Sequence, residues 1–372
     1  MSAVASRLIR VMQYPLEAAA LSPADWSQLL PVARAANVLG TLGVRIAQAG
    51  STLPPQIRRH FDGIVQLSAR QHESVKWEAH QLARALAKLD VPVLLLKGAA
   101  YVLSDLPVGR GRLFGDIDIL VPREALGKVE ITLMAHGWTS AKLDAYDQRY
   151  YRQWMHELPP MLQVRRGTVL DIHHTLLPLT SRHTLDARKL LDCSEPLPNL
   201  DPLRIPSPAD LVIHSITHLF HEGELHNGLR DLVDIDALLT YFGKNSPCFW
   251  DRLVSRAEEL QLASPMFLGL HFAKRLLETS IPDDVMAAAE RAGAPPPIIL
   301  KMLETLFDRG LQPMHSDCDS ALTPLARWLL YVRAHWLRMP PHLLSVHLAR
   351  KALMGLFPKR RSHAMSTEGG PP

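Results

Sequence analysis

Cysteine, net charge and long apolar runs are all scarce in this chain of 372 residues. The three cysteines, Cys193, Cys248 and Cys318, are far apart in the sequence. This spacing excludes a disulfide framework and a cysteine-based metal site, and it indicates a reducing compartment. No apolar run approaches the roughly 18–20 residues that a membrane-spanning helix needs. The N-terminus also lacks the apolar core of a secretion signal, so the sequence predicts a cytoplasmic protein.

The charge balance gives no sign of a nucleic-acid partner. The formal net charge is +4, which is weak for a chain of this length. A nucleic-acid-binding protein would show a basic face or stripe. None is visible, so we expect no nucleic-acid partner. A hydrophobic fraction of 47% and a charged fraction of 21% are ordinary for a globular protein.

The most informative segment is residues 91–121, VPVLLLKGAAYVLSDLPVGRGRLFGDIDILV. A first apolar run ends at Lys97 and Gly98, and a loop that carries Arg110 and Arg112 follows it. A second apolar run then contains the sequence Asp-Ile-Asp. Short apolar runs separated by glycine-containing turns are typical of buried strands.

Asp116 and Asp118 alternate with Ile117 and Ile119 in the second run. If this run is a strand, both carboxylates lie on one face and both isoleucines on the other. Two like charges this close resist ionisation unless a cation lies between them. Mg²⁺ prefers carboxylate ligands together with substrate phosphates. An isolated Asp-x-Asp pair is common, but charges inside a strand are unfavourable without a partner or a metal. The segment therefore predicts a metal–nucleotide site.

A third acidic residue, Asp171, lies in a segment with the pattern of a tight hairpin. Residues 163–173, QVRRGTVLDIH, place Arg166 and Gly167 at a turn between two runs of apolar and β-branched residues. On the second run, Asp171 and His173 share one face of the predicted strand.

These segments resemble the polymerase-beta-like nucleotidyltransferases, in which an apolar strand, a glycine turn and a short helix precede an Asp-x-Asp strand. The form LLLKGAAYV…R…GDIDILV is similar to the uncharacterised bacterial nucleotidyltransferase family, where Lys-Gly replaces the usual Gly-Ser pair. The resemblance implies that Lys97, Gly98, Arg110 and Arg112 handle the phosphates. The LDIHHTL segment resembles the third acidic strand of the family, which implies that Asp171 is the third carboxylate.

The function implied by this resemblance is a Mg²⁺-dependent nucleotidyltransferase, with Mn²⁺ as an alternative ion. Asp116, Asp118 and Asp171 would be both the metal ligands and the catalytic residues, and Asp171 would also orient or deprotonate an acceptor hydroxyl. A nucleoside monophosphate would pass from a nucleoside triphosphate to a hydroxyl acceptor, with release of pyrophosphate. The acceptor is a small molecule, a peptide or a protein, and the sequence does not choose among them.

Hydrophobic periodicity gives the predicted organisation of the whole chain. Together with the resemblance, which implies a nucleotidyltransferase-like mixed sheet, it predicts an α+β fold in which helices flank the sheet. A helical N-terminal arm would cover residues 1–90, the catalytic core residues 91–177 and a large helical region residues 178–357. Residues 358–372 have the composition of a disordered tail.

A histidine stripe marks the helical region that follows the core. His214, His218 and His221 are spaced so that they lie on one face of one predicted helix. Such a stripe could bind zinc, but it lacks the glutamate that follows the first histidine in the metalloprotease motif. The alternatives are that the histidines face the active site or pack in the core.

The next predicted helix carries Arg230, Asp231 and Asp234. Arg230 and Asp234 are four residues apart and predict an ion pair on the helix surface, while Asp231 is a candidate for contacting nucleotide or substrate. Two other functions stay open at this point. One is a non-catalytic relative of the family that acts through a partner. The other is a metal-dependent phosphohydrolase built on the histidine stripe and Asp231.

Overall fold

A computed structural model describes residues 1–141, 144–182, 185–221 and 225–340, with the backbone alone at 145–147. The predicted tail at 358–372 lies outside the described residues. So does the end of the predicted helical region, beyond residue 340.

Four helices precede the sheet: α1 (Ala3–Gln13), α2 (Pro23–Ala35), α3 (Leu39–Gln48) and α4 (Pro55–Leu86). Helix α2 begins with a capping box. The Ser22 hydroxyl accepts a hydrogen bond from the Asp25 amide, and the Asp25 carboxylate accepts one from the Ser22 amide. Asn37, with a φ of 55°, lies between α2 and α3 and interrupts the helical conformation, so this segment forms two helices. The predicted helical N-terminal region is thereby confirmed.

Seven strands of the described residues form one mixed sheet in the order β3-β4-β5-β2-β1-β7-β6. The strands are β1 (Val93–Leu96), β2 (Asp116–Leu120), β3 (Trp138–Ser140), β4 (Met161–Gln163), β5 (Val169–His173), β6 (Glu195–Pro196) and β7 (Leu203–Ile205). Strand β2 runs antiparallel to β1 and parallel to β5. This sheet with its flanking helices confirms the predicted α+β fold.

The predicted hairpin is present. Strands β4 and β5 pair in antiparallel orientation, and Gly167 has a φ of 73° in the turn between them. Glycine adopts this left-handed conformation without the steric strain of a side chain. The turn therefore leads the chain from β4 into β5, the strand that carries Asp171.

The other helices lie between the strands and in the C-terminal region. They are α5 (Lys97–Leu103), α6 (Leu126–Ala135), α7 (Ala145–Trp154), α8 (Arg188–Asp192), α9 (Pro208–His221), α10 (Gly228–Asn245), α11 (Phe249–Glu259), α12 (Ala263–Leu277), α13 (Asp283–Gly293), α14 (Pro297–Gly310) and α15 (Thr323–Arg338). Short 3-10 helices cover Pro15–Ala20, Pro107–Gly109, Arg123–Ala125 and Ser316–Cys318. Among the described residues, no helix is long and apolar enough to cross a lipid bilayer.

The buried core is continuous from Val4 in α1 to Leu330 in α15, and it includes both faces of the sheet. The N-terminal helices also touch the loop before β2. A Cβ atom on Gly40 would lie 2.1 Å from the carbonyl oxygen of Gly111, so only glycine permits this approach of two backbones. This contact packs α3 against the loop that carries Arg112.

Candidate active site

The strand register brings the predicted metal-binding carboxylates together. Asp118 on β2 is the register partner of Asp171 on the parallel strand β5, and Asp116 lies two residues earlier on β2. Side chains alternate along a strand, and register partners on neighbouring strands point to the same side. All three carboxylates therefore lie on one face of the sheet.

Asp118 is the buried member of this carboxylate cluster, and two basic side chains contact it. The Lys97 ammonium lies 3.9 Å from its Oδ1 atom, and Nε2 of His173 hydrogen-bonds to the same oxygen at 3.0 Å. Burial alone would raise the pKa of Asp118, but Lys97 and His173 outweigh burial and hold it well below its usual range. Asp118 is therefore ionised at neutral pH.

The other two carboxylates have less support. Partial desolvation and the charge of Asp118 raise the pKa of Asp116. Its residue is nevertheless exposed at the surface. Burial, together with the charges of Asp118 and Glu157, raises the pKa of Asp171 to about 7. The Oδ1 atom of Asp171 is buried and has no hydrogen-bond partner among the described residues. A buried carboxylate oxygen without a partner is unfavourable unless a cation or a proton reaches it.

Lys97 and Gly98 form the start of α5, directly after β1. A Cβ atom on Gly98 would lie 2.2 Å from the ring of Phe114. Any larger residue would therefore displace this ring. Both Gly98 and Phe114 line the same cavity, so the glycine shapes its wall.

A cavity of about 330 Å³ opens beside the carboxylates. Its lining includes Lys97, Gly98, Asp116, Asp118, Arg230 and Asp231. The volume is at the lower end of the range for small-molecule sites, roughly 300–1,000 Å³. Arg110 is exposed at the end of a 3-10 helix and is not part of the lining that the structure describes.

Arg112 reaches the wall of this cavity, but its guanidinium is engaged in a buried ion pair. Its Nε atom donates to Oδ2 of Asp234 at 2.7 Å. The guanidinium carbon lies 4.8 Å from the ring centroid of Phe114 and 5.7 Å from that of Tyr101, within the range of cation–π attraction. These contacts give Arg112 a structural role, and its predicted role toward phosphate stays a prediction.

The predicted ion pair between Arg230 and Asp234 is wrong. Asp234 pairs with Arg112, and Arg230 instead donates to the neighbouring Asp231 at 2.7 and 3.0 Å. The physical reason is that the loop before β2 brings Arg112 to α10. Arg112 then pairs with Asp234, and Arg230 pairs with Asp231. Asp231 lines the cavity, and its Oδ2 atom lies 3.8 Å from Nδ1 of His218.

The histidine stripe of α9 lies beside the carboxylate cluster. His214, His218 and His221 line a second, small cavity of about 20 Å³ together with His156 and His173. Burial lowers the pKa of His214 well below its usual value, so this side chain is neutral at physiological pH. Among the described residues, the stripe and Asp231 form no cluster whose ligand atoms are close enough to share a metal ion. The phosphohydrolase alternative therefore lacks the convergence that it requires.

Sequence reasoning did not assign two residues that the structure brings to this site. Glu157 pairs with His173 through an isolated antiparallel bridge, and the His156 ring stacks on the His173 ring with centroids 5.2 Å apart. Burial opposes a charged His173, but Asp118 and Glu157 outweigh it and raise the pKa of His173. His156 and Glu157 belong to no local sequence motif. A backbone bridge between residues distant in the sequence places them at the site.

No curated protein matches the chain. One solved structure that matches is the crystal structure of an antigenic nucleotidyltransferase-like protein from Paracoccidioides brasiliensis, at 12% identity and a TM-score of 0.33. The alignment covers 62% of this chain and 97% of that one, and at this TM-score it adds nothing to the assignment.

The family comparison is more extensive. The sequence model of the uncharacterised nucleotidyltransferase family matches residues 22–278. The matched region includes the N-terminal helices from α2, the whole sheet with the carboxylate cluster, and the helices up to α12. It therefore extends well beyond the segments that carried the resemblance. Since the match spans more than half of the chain, the chain belongs to the uncharacterised nucleotidyltransferase family.

Proposed function

We propose that the protein is a Mg²⁺-dependent nucleotidyltransferase that moves a nucleoside monophosphate from a nucleoside triphosphate to a hydroxyl acceptor. The observation that carries this proposal is the carboxylate cluster Asp116, Asp118 and Asp171, on one face of neighbouring strands beside a cavity. Family membership supports the same function.

The cluster fits a hard divalent cation. The buried Oδ1 atom of Asp171 has no partner among the described residues, and like charges on adjacent strands repel one another. Carboxylate oxygens are the ligands that Mg²⁺ and Mn²⁺ prefer. Asp116, Asp118 and Asp171 would hold the ion, which when bound supplies charge neutralisation for the phosphates.

The cavity of about 330 Å³ is the proposed nucleotide site. Lys97 and Arg230 line it as cationic side chains that can contact phosphate oxygens, and Gly98 allows the ring of Phe114 to pack closely in its wall. The acceptor would approach from a different side of Asp116. A cavity of about 190 Å³ there is lined by Asp116, Thr168 and Glu78, among others.

In the proposed reaction, the acceptor oxygen forms a bond to the α-phosphorus as the bond from that phosphorus to pyrophosphate breaks. The acceptor proton passes to a base, and Asp171, the third carboxylate on this face of the sheet, is the proposed base. Asp118 stays ionised and is held in position by Lys97 and His173. Positioning and electrostatics are thus the main contributions of the protein.

The test is calorimetric binding of ATP, GTP, CTP and UTP with Mg²⁺, followed by an assay of pyrophosphate release with candidate hydroxyl acceptors. We expect one or more nucleotides to bind the wild-type protein. The Asp116→Asn, Asp118→Asn double variant should lose Mg²⁺-dependent binding and release pyrophosphate at least about 1,000-fold more slowly, as expected for several kcal/mol of lost stabilisation.

Asp105→Asn is the matched control. Asp105 is exposed, and its φ of 49° is a conformation that asparagine also adopts readily. This variant should bind nucleotide like the wild type. Equal binding by the double variant would overturn the metal assignment. Mg²⁺-dependent binding of a nucleotide that releases no pyrophosphate with any of the acceptors would instead support the non-catalytic relative.

A further inference from the structure

Three side chains that can bind a metal ion lie together next to Asp118, and one of them, His173, contacts it. One ligand atom each from His156, Glu157 and His173 lie within 4.8 Å of one another. We refer to these three residues as the His-Glu-His cluster. It shares His173 with the active site but contains none of the three aspartates.

The backbone fixes the positions of this cluster. Glu157 and His173 form an antiparallel bridge. On either side of it, the Leu158 amide donates to the Ile172 carbonyl at 2.8 Å and the His174 amide donates to the His156 carbonyl at 2.9 Å. The cluster is therefore held by hydrogen-bonded main chain and does not depend on a loop closing around it.

The two ring nitrogens of His173 face two different carboxylates. Nε2 hydrogen-bonds to Asp118 at 3.0 Å, whereas Nδ1 lies 3.5 Å from Oε2 of Glu157. In a neutral imidazole only one nitrogen carries a proton, whereas both carboxylates can only accept. We assign the proton to Nε2, because its contact with Asp118 is the shorter one. The Nδ1 lone pair then points toward a carboxylate, which is repulsive unless a proton or a metal ion lies between them. Histidine ligands of metals commonly donate their other N–H to a carboxylate in this way.

The surroundings provide a second imidazole and space for one small species. The His156 ring stacks on His173 at an interplanar angle of 28°. Both rings line the cavity of about 20 Å³, which has room for a single water molecule or ion, whereas Glu157 faces Nδ1 of His173 and is not part of the described lining. Nδ1 of His214, which lines the same cavity, is buried without a hydrogen-bond partner among the described residues. Lys97 also lines this cavity. Its ammonium lies 3.9 Å from Oδ1 of Asp118, which offsets its charge.

We propose that His156, Glu157 and His173 bind a transition-metal ion of the Zn²⁺ class, separate from the divalent cation at the three aspartates. Imidazole ligands favour Zn²⁺ and its neighbours in the first transition row, whereas all-oxygen sets favour Mg²⁺. Two histidines and one glutamate leave a coordination position for water, as in open zinc sites. The ion would fix the tautomer of His173 and so hold Asp118 in place. This inference does not depend on the proposed nucleotidyl transfer.

The test measures metal binding on the full-length, chelator-treated protein, without nucleotide and with a large excess of Mg²⁺ to fill the aspartate site. Titration with Co²⁺, followed by its visible absorption, should show one tight site, and Zn²⁺ should displace the Co²⁺. Glu157→Gln and His156→Gln should each weaken binding by about 100-fold or more, because even the loss of an outer-shell partner costs 10–100-fold.

His136→Gln is the control for binding to surface histidines, since His136 is exposed and lies outside the cluster. It should retain the Co²⁺ site. A folded wild type that shows no Co²⁺ absorption in excess Mg²⁺ would overturn the proposal, whatever the fate of the variants. Unchanged Co²⁺ affinity in folded Glu157→Gln and His156→Gln would also overturn it, and His173 would then carry a proton between its two carboxylates.

Discussion

Buried carboxylates occur in two regions of this protein, and their partners differ. In the helical regions each one has its own arginine. Asp210 on α9 accepts from Arg256 at 2.8 and 3.2 Å, and Asp236 on α10 accepts from Arg45 at 2.9 Å. Hydroxyl groups complete these sites, since Ser207 donates to Asp210 at 2.9 Å and Thr279 to Asp236 at 2.8 Å. The pairs at Asp234 and Glu78 follow the same pattern, with Arg112 and Arg166 as partners.

The sheet arranges its carboxylates differently. In the cluster of Asp116, Asp118 and Asp171, the Lys97 ammonium and the His173 imidazole contact Asp118, and no arginine pairs with any of the three carboxylates among the described residues. A fixed arginine neutralises a buried carboxylate permanently, and such a pair serves the fold. A carboxylate cluster with too few fixed cations remains able to take up a mobile one. The difference between the two regions is therefore the difference between structural pairs and a site for an exchangeable ion.

Among the substitutions that test this comparison, the largest change in stability is expected at a structural ion pair. Asp234→Ala should lower the free energy of unfolding by about 3–5 kcal/mol, because it leaves the buried Arg112 guanidinium without its partner. Urea unfolding measures this loss. The control is Asp283→Ala, which breaks an ion pair whose aspartate side chain is 97% exposed and should leave the free energy of unfolding close to that of the wild type. Similar losses in both variants would contradict the division into structural and surface pairs.

At the three aspartates of the sheet, removal of a charge should raise the free energy of unfolding instead of lowering it. The pKa of Asp171 is raised to about 7 in the folded, metal-free protein, against about 3.9 in an unfolded chain. The folded state therefore binds the extra proton. The stability from this residue is complete below about pH 4 and is lost as the pH rises through about 7.

Asp171→Asn tests this expectation in the presence of a chelator. At pH 8 the variant should be more stable than the wild type by on the order of 1–3 kcal/mol, after allowance for solvent screening, and at pH 5 this difference should shrink. The measurement is urea unfolding across that pH range, with Asp105→Asn as the control. Parallel curves for the wild type and Asp171→Asn would show that Asp171 is not strained by its neighbours.

Local sequence patterns predicted the parts of the site that depend on local geometry. Alternation along one strand was enough to place Asp116 and Asp118 on one face, and the glycine at position 167 was enough to place a turn before Asp171. Ion-pair partners could not be read in this way. Arg112 and Asp234 are 122 residues apart in the chain, and no spacing rule links them.

The same limit explains the residues that were mispaired or left unassigned. The four-residue spacing of Arg230 and Asp234 predicted a helix-surface pair, but tertiary packing brings Arg112 to Asp234 first. Helix-surface pairs contribute only about 0.2–0.5 kcal/mol, so a buried partner easily displaces them. The positions of His156 and Glu157 depend on a single backbone bridge to His173. Hydrophobic periodicity cannot predict such a bridge.

The smallest expected effect concerns Arg110, which the sequence could not distinguish from Arg112 as a phosphate ligand. The structure leaves Arg110 exposed and outside the described lining of the cavity, whereas Lys97 lies within it. Arg110→Ala should therefore change nucleotide affinity by no more than about twofold and stability by less than about 0.5 kcal/mol, as for other surface substitutions. Lys97→Met is the comparison, because it removes the ammonium nearest Asp118 and should weaken nucleotide binding by tenfold or more, about 1.4 kcal/mol. Calorimetric titration with the best-bound nucleotide measures both variants. A tenfold loss in Arg110→Ala would mean that the loop before β2 moves inward when the nucleotide binds, and that an arginine outside the cavity contributes to the site as much as the lysine within it.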